Sequence, residues 1–207
     1  MERIAVLAVG PGSPDYITPA VKREVKRCFL LVGGRRNLDL FAGSGCEELE
    51  ITGKLSPVFS EIRKRRPEGK IGVLVSGDSG LFSILPRLAE EFGRDQLDVY
   101  PGISAAQYML ARIGLSWQEA VFISLHGRKG GDPVAEAASG RLAVVFTDSR
   151  NSPANLCCSL AEAGLEDKTV WIGEDLSYPQ EKISRGKAAS FTSWSGSNLN
   201  LVVIDGE

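Results

Sequence analysis

Short apolar runs alternate with amphipathic stretches along the first half of the chain. Helices are expected with Thr18 as an N-cap, with Ser56-Pro57 opening a second helix, and over residues 81–92 and 105–113. We predict buried strands at four apolar runs, each bounded by glycine, proline or aspartate: residues 4–9, 29–32, 72–75 and 97–100. This order of elements predicts an α/β fold with a mainly parallel first sheet covered by helices on both faces.

The apolar pattern begins again in the second half of the chain. A helix is expected near residues 154–163, and residues 178–191 are predicted to be extended. Residues 193–198 form a polar turn in this interpretation, which favours an antiparallel hairpin and a mixed C-terminal sheet. The predicted strands of this half are residues 121–124, 142–146, 169–172 and 199–204.

The two patterns divide the chain into two lobes. We assign residues 1–115 to an N-terminal α/β lobe and residues 119–207 to a C-terminal α/β lobe. The segment between them, residues 114–118, is short and lacks periodicity. Because so short a linker leaves little slack between the lobes, we expect a cleft between them.

Composition and charge argue against several classes of protein. The chain has 207 residues, of which 43% are hydrophobic and 24% charged, so a core can form without disulfides or metal. The formal net charge of −2 gives no general attraction to nucleic acid or to an anionic membrane. The first apolar run is too short for a secretory signal or a membrane span, so we expect a cytoplasmic protein.

The cysteines and the histidine give no pattern of metal ligands. The chain has four cysteines without C-x-x-C spacing and one histidine, so we expect no protein-bound metal. Cys28, Cys157 and Cys158 lie in apolar surroundings, where a free thiol behaves as a small hydrophobic group. These three cysteines are therefore predicted to belong to the core.

Three loops that follow predicted strands carry the candidate chemistry. They are rich in glycine and proline and lie where open α/β sheets bind ligands. The first is not a dinucleotide fingerprint, because Asp15 stands where the third glycine would be. In the second, Asp78 suits a cationic or hydroxyl-bearing group, or else caps the following helix, and Ser104 in the third offers a hydroxyl or an N-cap. The three loops are residues 10–18, 76–83 and 100–106.

The ordered motifs in these loops resemble those of tetrapyrrole methylases, the class III S-adenosylmethionine methyltransferases. The matching strings are GPGSPDYIT at residues 10–18, GD at 77–78 and PGISA at 101–105, and the resemblance covers the chain end to end. Two further strings, SLHGR at residues 124–128 and GEDLSYP at 173–179, are similar to one branch of the family. That branch methylates C-5 of the corrin precursor cobalt-precorrin-7, or of metal-free precorrin-6Y, in cobalamin synthesis.

The resemblance implies a homodimer of two-lobed subunits that fold S-adenosylmethionine into the cleft. Substrate contacts with the tetrapyrrole are expected at Asp15, Tyr16, Arg128 and Lys129. Carried over by motif, the cofactor contacts are expected at Pro11, Gly77, Asp78, Leu81, Ser104, Ala105, Thr147 and Gly173.

His126 is the candidate catalytic residue, because it lies in a glycine-rich, basic loop rather than on an apolar face. Its imidazole could orient the macrocycle, move a proton, or approach a cobalt that the substrate carries. A sulfonium methyl is already a strong electrophile, so positioning is the main task and no covalent intermediate is required. Arg35, Arg36 and Arg150 also follow strands, and they either bind substrate carboxylates or are simply solvated.

Three alternatives stay open at this point. The scaffold also suits a sister methylase acting at another ring position, or the protein-modifying diphthine synthase. A non-catalytic α/β nucleotide-binding module would share the loops without transferring a methyl group. The sequence shows no second, Rossmann-type methyltransferase domain, so we expect methylation and decarboxylation at C-15 to come from a separate protein.

Overall fold

The computed structural model describes residues 2–125 and 131–206, which form two compact units, Met1–Ser104 and Ala105–Glu207. The division falls ahead of the helix Ala105–Ile113, which the sequence pattern assigned to the N-terminal lobe. This helix packs within the second unit, because the sulfur of Met109 lies over Gly173, which has no side chain in the way. The expected linker at residues 114–118 therefore lies inside the second unit.

The first unit contains a five-stranded sheet. Its neighbouring strands pair in the order β3-β2-β4-β1-β5, and every pair is parallel, which confirms the predicted parallel sheet. The strands are β1 (Ile4–Ala8), β2 (Leu30–Gly33), β3 (Glu47–Glu50), β4 (Ile71–Val75) and β5 (Leu97–Tyr100). The strand β3 was not predicted, because it is mostly exposed at the sheet edge and three of its four residues are glutamates.

Helices cover both faces of this sheet, as predicted. Val6 belongs to an apolar cluster with Ile62, whereas its neighbour Leu7 belongs to a separate cluster with Val21. Successive side chains of a strand point to opposite faces, so the two clusters lie on the two faces. The helices are α1 (Pro19–Val25), α2 (Arg35–Asp39), α3 (Leu55–Arg65) and α4 (Leu85–Phe92).

The predicted starts of these helices are correct in one case and displaced in two. Thr18 caps α1, and its hydroxyl accepts the Val21 N–H at 3.3 Å. The helix α3 already begins at Leu55, ahead of Ser56-Pro57. The prediction of helix from residue 81 was wrong, since Phe82 has φ +50°, a conformation that an α-helix does not accommodate.

The second unit contains a mixed five-stranded sheet in the order β6-β7-β10-β8-β9, as predicted. Only β6 and β7 are parallel, and the other neighbouring pairs are antiparallel. The strands are β6 (Val121–Ser124), β7 (Ala143–Phe146), β8 (Thr169–Glu174), β9 (Lys182–Lys187) and β10 (Asn200–Ile204). The helices are α5 (Ala105–Ile113), α6 (Pro133–Ala138) and α7 (Pro153–Glu162).

The hairpin of the second unit differs from the predicted one. Residues 178–191 were expected to pair with the last strand across the polar turn at residues 193–198. Instead β9 pairs with β8, and β8 separates β9 from β10. Ala188–Phe191 forms a short 3-10 helix, so the extended segment ends at Lys187.

Two of the cysteine thiols belong to the apolar core, as the sequence indicated. Cys28 and Cys157 are buried, and neither forms a disulfide. Burial raises the pKa of each thiol to about 12. Cys158 is only partly buried, and its Sγ contacts the Thr192 carbonyl oxygen at 3.5 Å. Among the described residues, no helix combines the length and the apolar character that a membrane span requires.

Candidate functional site

The carboxyl ends of the neighbouring strands β4, β1 and β5 lie at one edge of the first sheet. The loops after β1 and β4 are joined there by a short antiparallel bridge between Gly10 and Gly77. The Gly77 N–H donates to the Gly10 carbonyl oxygen at 2.8 Å, and the Gly10 N–H donates to the Gly77 carbonyl oxygen at 3.2 Å. Both residues have φ near +70 to +80°, a conformation that glycine adopts without strain.

The loop after β5 approaches the same bridge closely. A Cβ at Gly102 would lie 2.5 Å from the Gly77 carbonyl oxygen and 2.8 Å from the Ala8 Cβ, so only glycine fits without a shift of the backbone. Asp78 connects the two loops. Its Oδ2 accepts the Gly102 N–H at 3.0 Å, and its Oδ1 accepts the Gly80 N–H at 2.8 Å.

This geometry changes the interpretation of Asp78. The sequence suggested a carboxylate facing a cationic or hydroxyl-bearing group, or a helix cap. The cap interpretation is wrong, because the next helix begins only at Leu85, and the Leu85 N–H donates to the Ser83 hydroxyl at 3.0 Å rather than to Asp78. Both carboxylate oxygens bind main-chain N–H groups, so Asp78 shapes the loops at this edge through its own contacts.

The other predicted residues of the first unit lie on the same three loops. Pro11 and Ser104 are buried, and Leu81 is partly buried. Asp15 is exposed, and Tyr16 is partly buried at the end of a 3-10 turn that Ser13 caps. Ala105, also predicted to contact the cofactor, is the first residue of α5 and belongs to the second unit.

The predicted residues of the second unit, Thr147 and Gly173, lie near one edge of its sheet. Thr147 follows β7, and its hydroxyl donates to the side-chain oxygen of Asn200 and lies 3.3 Å from the Asn200 carbonyl oxygen. Gly173 lies in β8, where Leu201 of β10 pairs opposite both Gly173 and Phe146. A Cβ at Gly173 would lie 2.8 Å from the Met109 sulfur and from a Leu176 methyl group.

Glu174, a buried carboxylate at the same edge, was not predicted from the sequence. Its Oε1 accepts the Ser197 N–H at 3.0 Å, and its Oε2 lies 3.9 Å from the ammonium of Lys182. Gly196 lies against it, since a Cβ there would be 2.1 Å from Oε1. The only sequence signal was the position of Glu174 inside the string at residues 173–179.

A second carboxylate that the sequence did not reveal, Glu181, organises the turn between β8 and β9. Its Oε2 accepts the Ser177 N–H at 2.7 Å, and its Oε1 accepts from Nε of Arg112 at 3.1 Å. Burial raises the pKa of Glu181, but hydrogen bonds from Tyr108 and Ser177 and the charge of Arg112 outweigh it and hold the pKa below its usual value. Asp175 and Ser177 have positive φ, so the turn carries strain that these contacts offset.

The remaining candidate site residues are only partly covered by the structure. His126, Arg128 and Lys129 lie outside the described residues. Arg150 is exposed, and its main-chain N–H donates to Asp148 at 2.8 Å. Within residues 2–125 and 131–206, no group of three or more histidine, cysteine or acidic side chains could hold a metal ion.

Comparison with known proteins identifies the family of this chain. The family model described as Tetrapyrrole (Corrin/Porphyrin) Methylases matches residues 3–192. The chain is 32% identical over 180 residues to the cobalt-precorrin-7 C(5)-methyltransferase of Salmonella typhimurium, covering 87% of this chain and 88% of that protein. It is 27% identical over 190 residues to the decarboxylating precorrin-6Y C(5,15)-methyltransferase of Mycobacterium tuberculosis, covering 91% of this chain and 47% of that longer protein.

A solved structure shares the fold. Uroporphyrin-III C-methyl transferase from Thermus thermophilus, complexed with S-adenyl homocysteine, superposes with a TM-score of 0.78 at 18% identity. The alignment covers 98% of this chain and 92% of the solved chain. With the family model spanning both units, these comparisons show that the chain belongs to the tetrapyrrole methylases and is a methyltransferase.

Proposed function

We propose that this protein transfers a methyl group from S-adenosylmethionine to C-5 of cobalt-precorrin-7, or of metal-free precorrin-6Y, in cobalamin synthesis. The observation that carries the proposal is the 32% identity, across most of both chains, to a protein named for that reaction. The relative from Mycobacterium tuberculosis, named for methylation at C-5 and C-15, agrees in the ring position C-5.

The first unit suits S-adenosylmethionine in its main-chain geometry. Gly10, Gly77 and Gly102 bring three loops together without side chains between them, at the strand ends where open α/β sheets bind ligands. The bound cofactor would supply an electrophilic sulfonium methyl group. The predicted contacts, Pro11, Gly77, Asp78, Leu81 and Ser104 from the first unit and Ala105, Thr147 and Gly173 from the second, would bind and orient it.

The substrate side of the proposal rests on the charge of a tetrapyrrole with ionised carboxylate side chains. Arg128 and Lys129 would bind carboxylates, and Asp15 and Tyr16 would contact the ring system or its polar substituents. His126 would orient the macrocycle or receive a proton released when the ring carbon is alkylated. These roles are proposals that substitution can test one residue at a time.

The proposal extends to partners and location. We expect a homodimer in the cytoplasm, where reducing conditions keep thiols such as Cys28 and Cys157 in their free form. A separate protein would methylate C-15 and remove the carboxyl group, because the relative from Salmonella typhimurium is named for C-5 alone, whereas the relative named for both ring positions is the longer protein from Mycobacterium tuberculosis.

Product analysis tests the function directly. Purified protein is incubated with S-adenosylmethionine and either cobalt-precorrin-7 or the metal-free precursor, and the products are examined by mass spectrometry and NMR. We expect one added methyl group, located at C-5, with no loss of the carboxyl group. A methyl group elsewhere on the ring would indicate a sister methylase, and binding of S-adenosylhomocysteine without transfer to either precursor would contradict the proposed reaction.

The role of His126 is tested in the same assay. If His126 acts on the substrate, His126→Ala slows methyl transfer or weakens substrate binding while the calorimetric affinity for S-adenosylhomocysteine stays unchanged. Equal turnover and equal substrate affinity in the variant would remove His126 from the mechanism.

A further inference from the structure

The carboxyl edge of the first sheet carries very few positive charges. The segments that follow β1, β2, β4 and β5 contain only two basic residues, Arg35 and Arg36. Both lie in the first turn of α2, directly after β2. The outermost strand β3 is followed by Lys54, so Arg35 and Arg36 are the basic side chains that follow the other four strands and that could neutralise an anionic ligand there. The segments concerned are residues 9–18, 34–36, 76–84 and 101–104.

Arg35 is already surrounded by acidic side chains. Its Nε binds Asp39 at 3.0 Å, and its two terminal nitrogens bind Glu48 at 2.5 Å and Glu50 at 3.8 Å. The hydrogen bond to Glu48 raises the pKa of Arg35 further above its usual value. A ligand carboxylate would have to compete with three protein carboxylates, so Arg35 is poorly suited to bind one.

Arg36 has a different environment. Among the described residues no carboxylate pairs with Arg36, and Nη2 instead lies 3.3 Å from the Ser76 hydroxyl, to which it donates. That hydroxyl donates its own proton to the buried Asn37 side-chain oxygen at 3.0 Å, so its lone pairs are left for Arg36. The exposed guanidinium is thus directed toward the end of β4, beside Gly77, and keeps donors for a further acceptor.

We propose that Arg36 binds a carboxylate of the tetrapyrrole substrate at the edge of the first unit. A planar guanidinium matches a carboxylate with two parallel hydrogen bonds, and the neutral Ser76–Asn37 pair orients it without cancelling its charge. This inference rests on the proposed function, which supplies the carboxylate-bearing ring. Arg36 acts here as a residue that recognises the substrate, and it takes no part in breaking the bond between methyl and sulfur.

Binding of paired corrins tests this proposal. The probes are a corrin with free carboxylate side chains and the same corrin with those side chains as amides, titrated by absorbance. We expect Arg36→Met to weaken binding of the carboxylate form about tenfold, the range of one charge-assisted contact, and to leave binding of the amide form unchanged. In the methylation assay KM for the tetrapyrrole should rise by a similar factor, with KM for S-adenosylmethionine unchanged.

Two further variants control the experiment. Arg35→Met removes a neighbouring positive charge that is already neutralised, and it should leave the affinities for both corrins unchanged. Arg36→Lys keeps the charge without the planar fork and should restore part of the lost affinity. Thermal melting of each variant shows whether the fold is kept, which we expect because Arg36 is exposed.

The outcomes separate this inference from the proposed function. If the unchanged protein binds the carboxylate corrin and Arg36→Met binds it equally well, the role of Arg36 is contradicted and the proposed function stands. Equal weakening by Arg35→Met would also contradict it, since the effect would then be one of general charge. An unchanged protein that methylates neither precursor contradicts the proposed function, and the inference about Arg36 with it.

Discussion

The loops at the strand ends of the two sheets are held together by different kinds of contact. In the first unit the ties involve the main chain, between Gly10 and Gly77 and from Asp78 to the Gly102 N–H. In the second unit a polar side chain makes each of the described contacts: Thr147 contacts the side chain of Asn200, and Glu174 accepts the Ser197 N–H. A close main-chain contact requires particular residues at particular positions, so it can be recognised as a motif in the sequence. A side-chain hydrogen bond between distant residues produces no such motif.

The largest effect that tests this contrast is expected at Gly102. Gly102→Ala places a Cβ 2.5 Å from a main-chain oxygen, so the loops after β4 and β5 must separate. We expect a loss of about 3 kcal/mol in unfolding free energy, the upper range for overpacking, together with weaker binding of S-adenosylhomocysteine. Urea unfolding and calorimetry measure the two effects.

Gly53→Ala is the matched control for Gly102→Ala. An added Cβ at Gly53 meets no atom within 4 Å, so stability should hardly change. If both alanine variants unfold at the same urea concentration, close main-chain approach is not what requires glycine at Gly102.

A somewhat smaller effect is expected at Asp78. Asp78→Asn keeps one acceptor oxygen and turns the other into a donor, so either the Gly80 or the Gly102 N–H loses its partner. We expect a loss of about 2 kcal/mol in unfolding free energy and a parallel loss of affinity for S-adenosylhomocysteine. Asp15→Asn, on an exposed side chain of the first loop, is the control for stability, and an equal loss there would contradict the bridging role.

These same residues show how many of the contacts at the strand ends of the first sheet could be predicted from the sequence. The glycines and Asp78 were recognised in the sequence, because positive φ and close backbone approach restrict residue choice. The contact between Asp78 and the Gly102 N–H was not predicted. Gly102 is 24 residues further along the chain, and the two residues come together only because β4 and β5 both pair with β1, one on each side.

The third prediction concerns pH and the second unit. The pKa of Glu181 is depressed in the fold, so its stabilisation is complete above the unfolded pKa of about 4.3 and is lost as pH falls through the lower folded value. Glu181→Gln should cost about 1.5 kcal/mol at neutral pH and flatten the fall in stability as pH drops below the unfolded pKa of about 4.3. Urea unfolding across that range compares the two proteins, and identical pH profiles would show that Glu181 is not coupled to folding.

The smallest effect is expected at Thr147. Thr147→Val removes the hydroxyl that contacts Asn200 and keeps the shape of the side chain, so we expect a loss of about 1 kcal/mol in unfolding free energy. Thr147→Ser keeps the hydroxyl and should recover most of this stability. A loss from Thr147→Val as large as that from Gly102→Ala would contradict the contrast between the two edges.

The second unit also shows where patterns of apolar residues stop being informative. The run at residues 169–172 indicated a strand, but nothing in it shows that β8 lies between β9 and β10. Glu174 and Glu181 are ordinary glutamates in the sequence. They become organising groups only because the turn after β8 brings Ser177 to Glu181, and the pairing of β10 with β8 brings Ser197 to Glu174.

The sequence by itself determined the alternation of strands and helices, the parallel first sheet, the mixed second sheet and the family of the protein. It could do so because strand burial, turns and close glycine contacts each restrict residue choice locally. Only the tertiary structure decided which carboxylates hold loops together, and that Arg35 pairs with carboxylates while Arg36 has none as a partner among the described residues. Such pairings depend on which distant segments the sheet order brings together, and a long polar side chain accepts many partners at little difference in free energy.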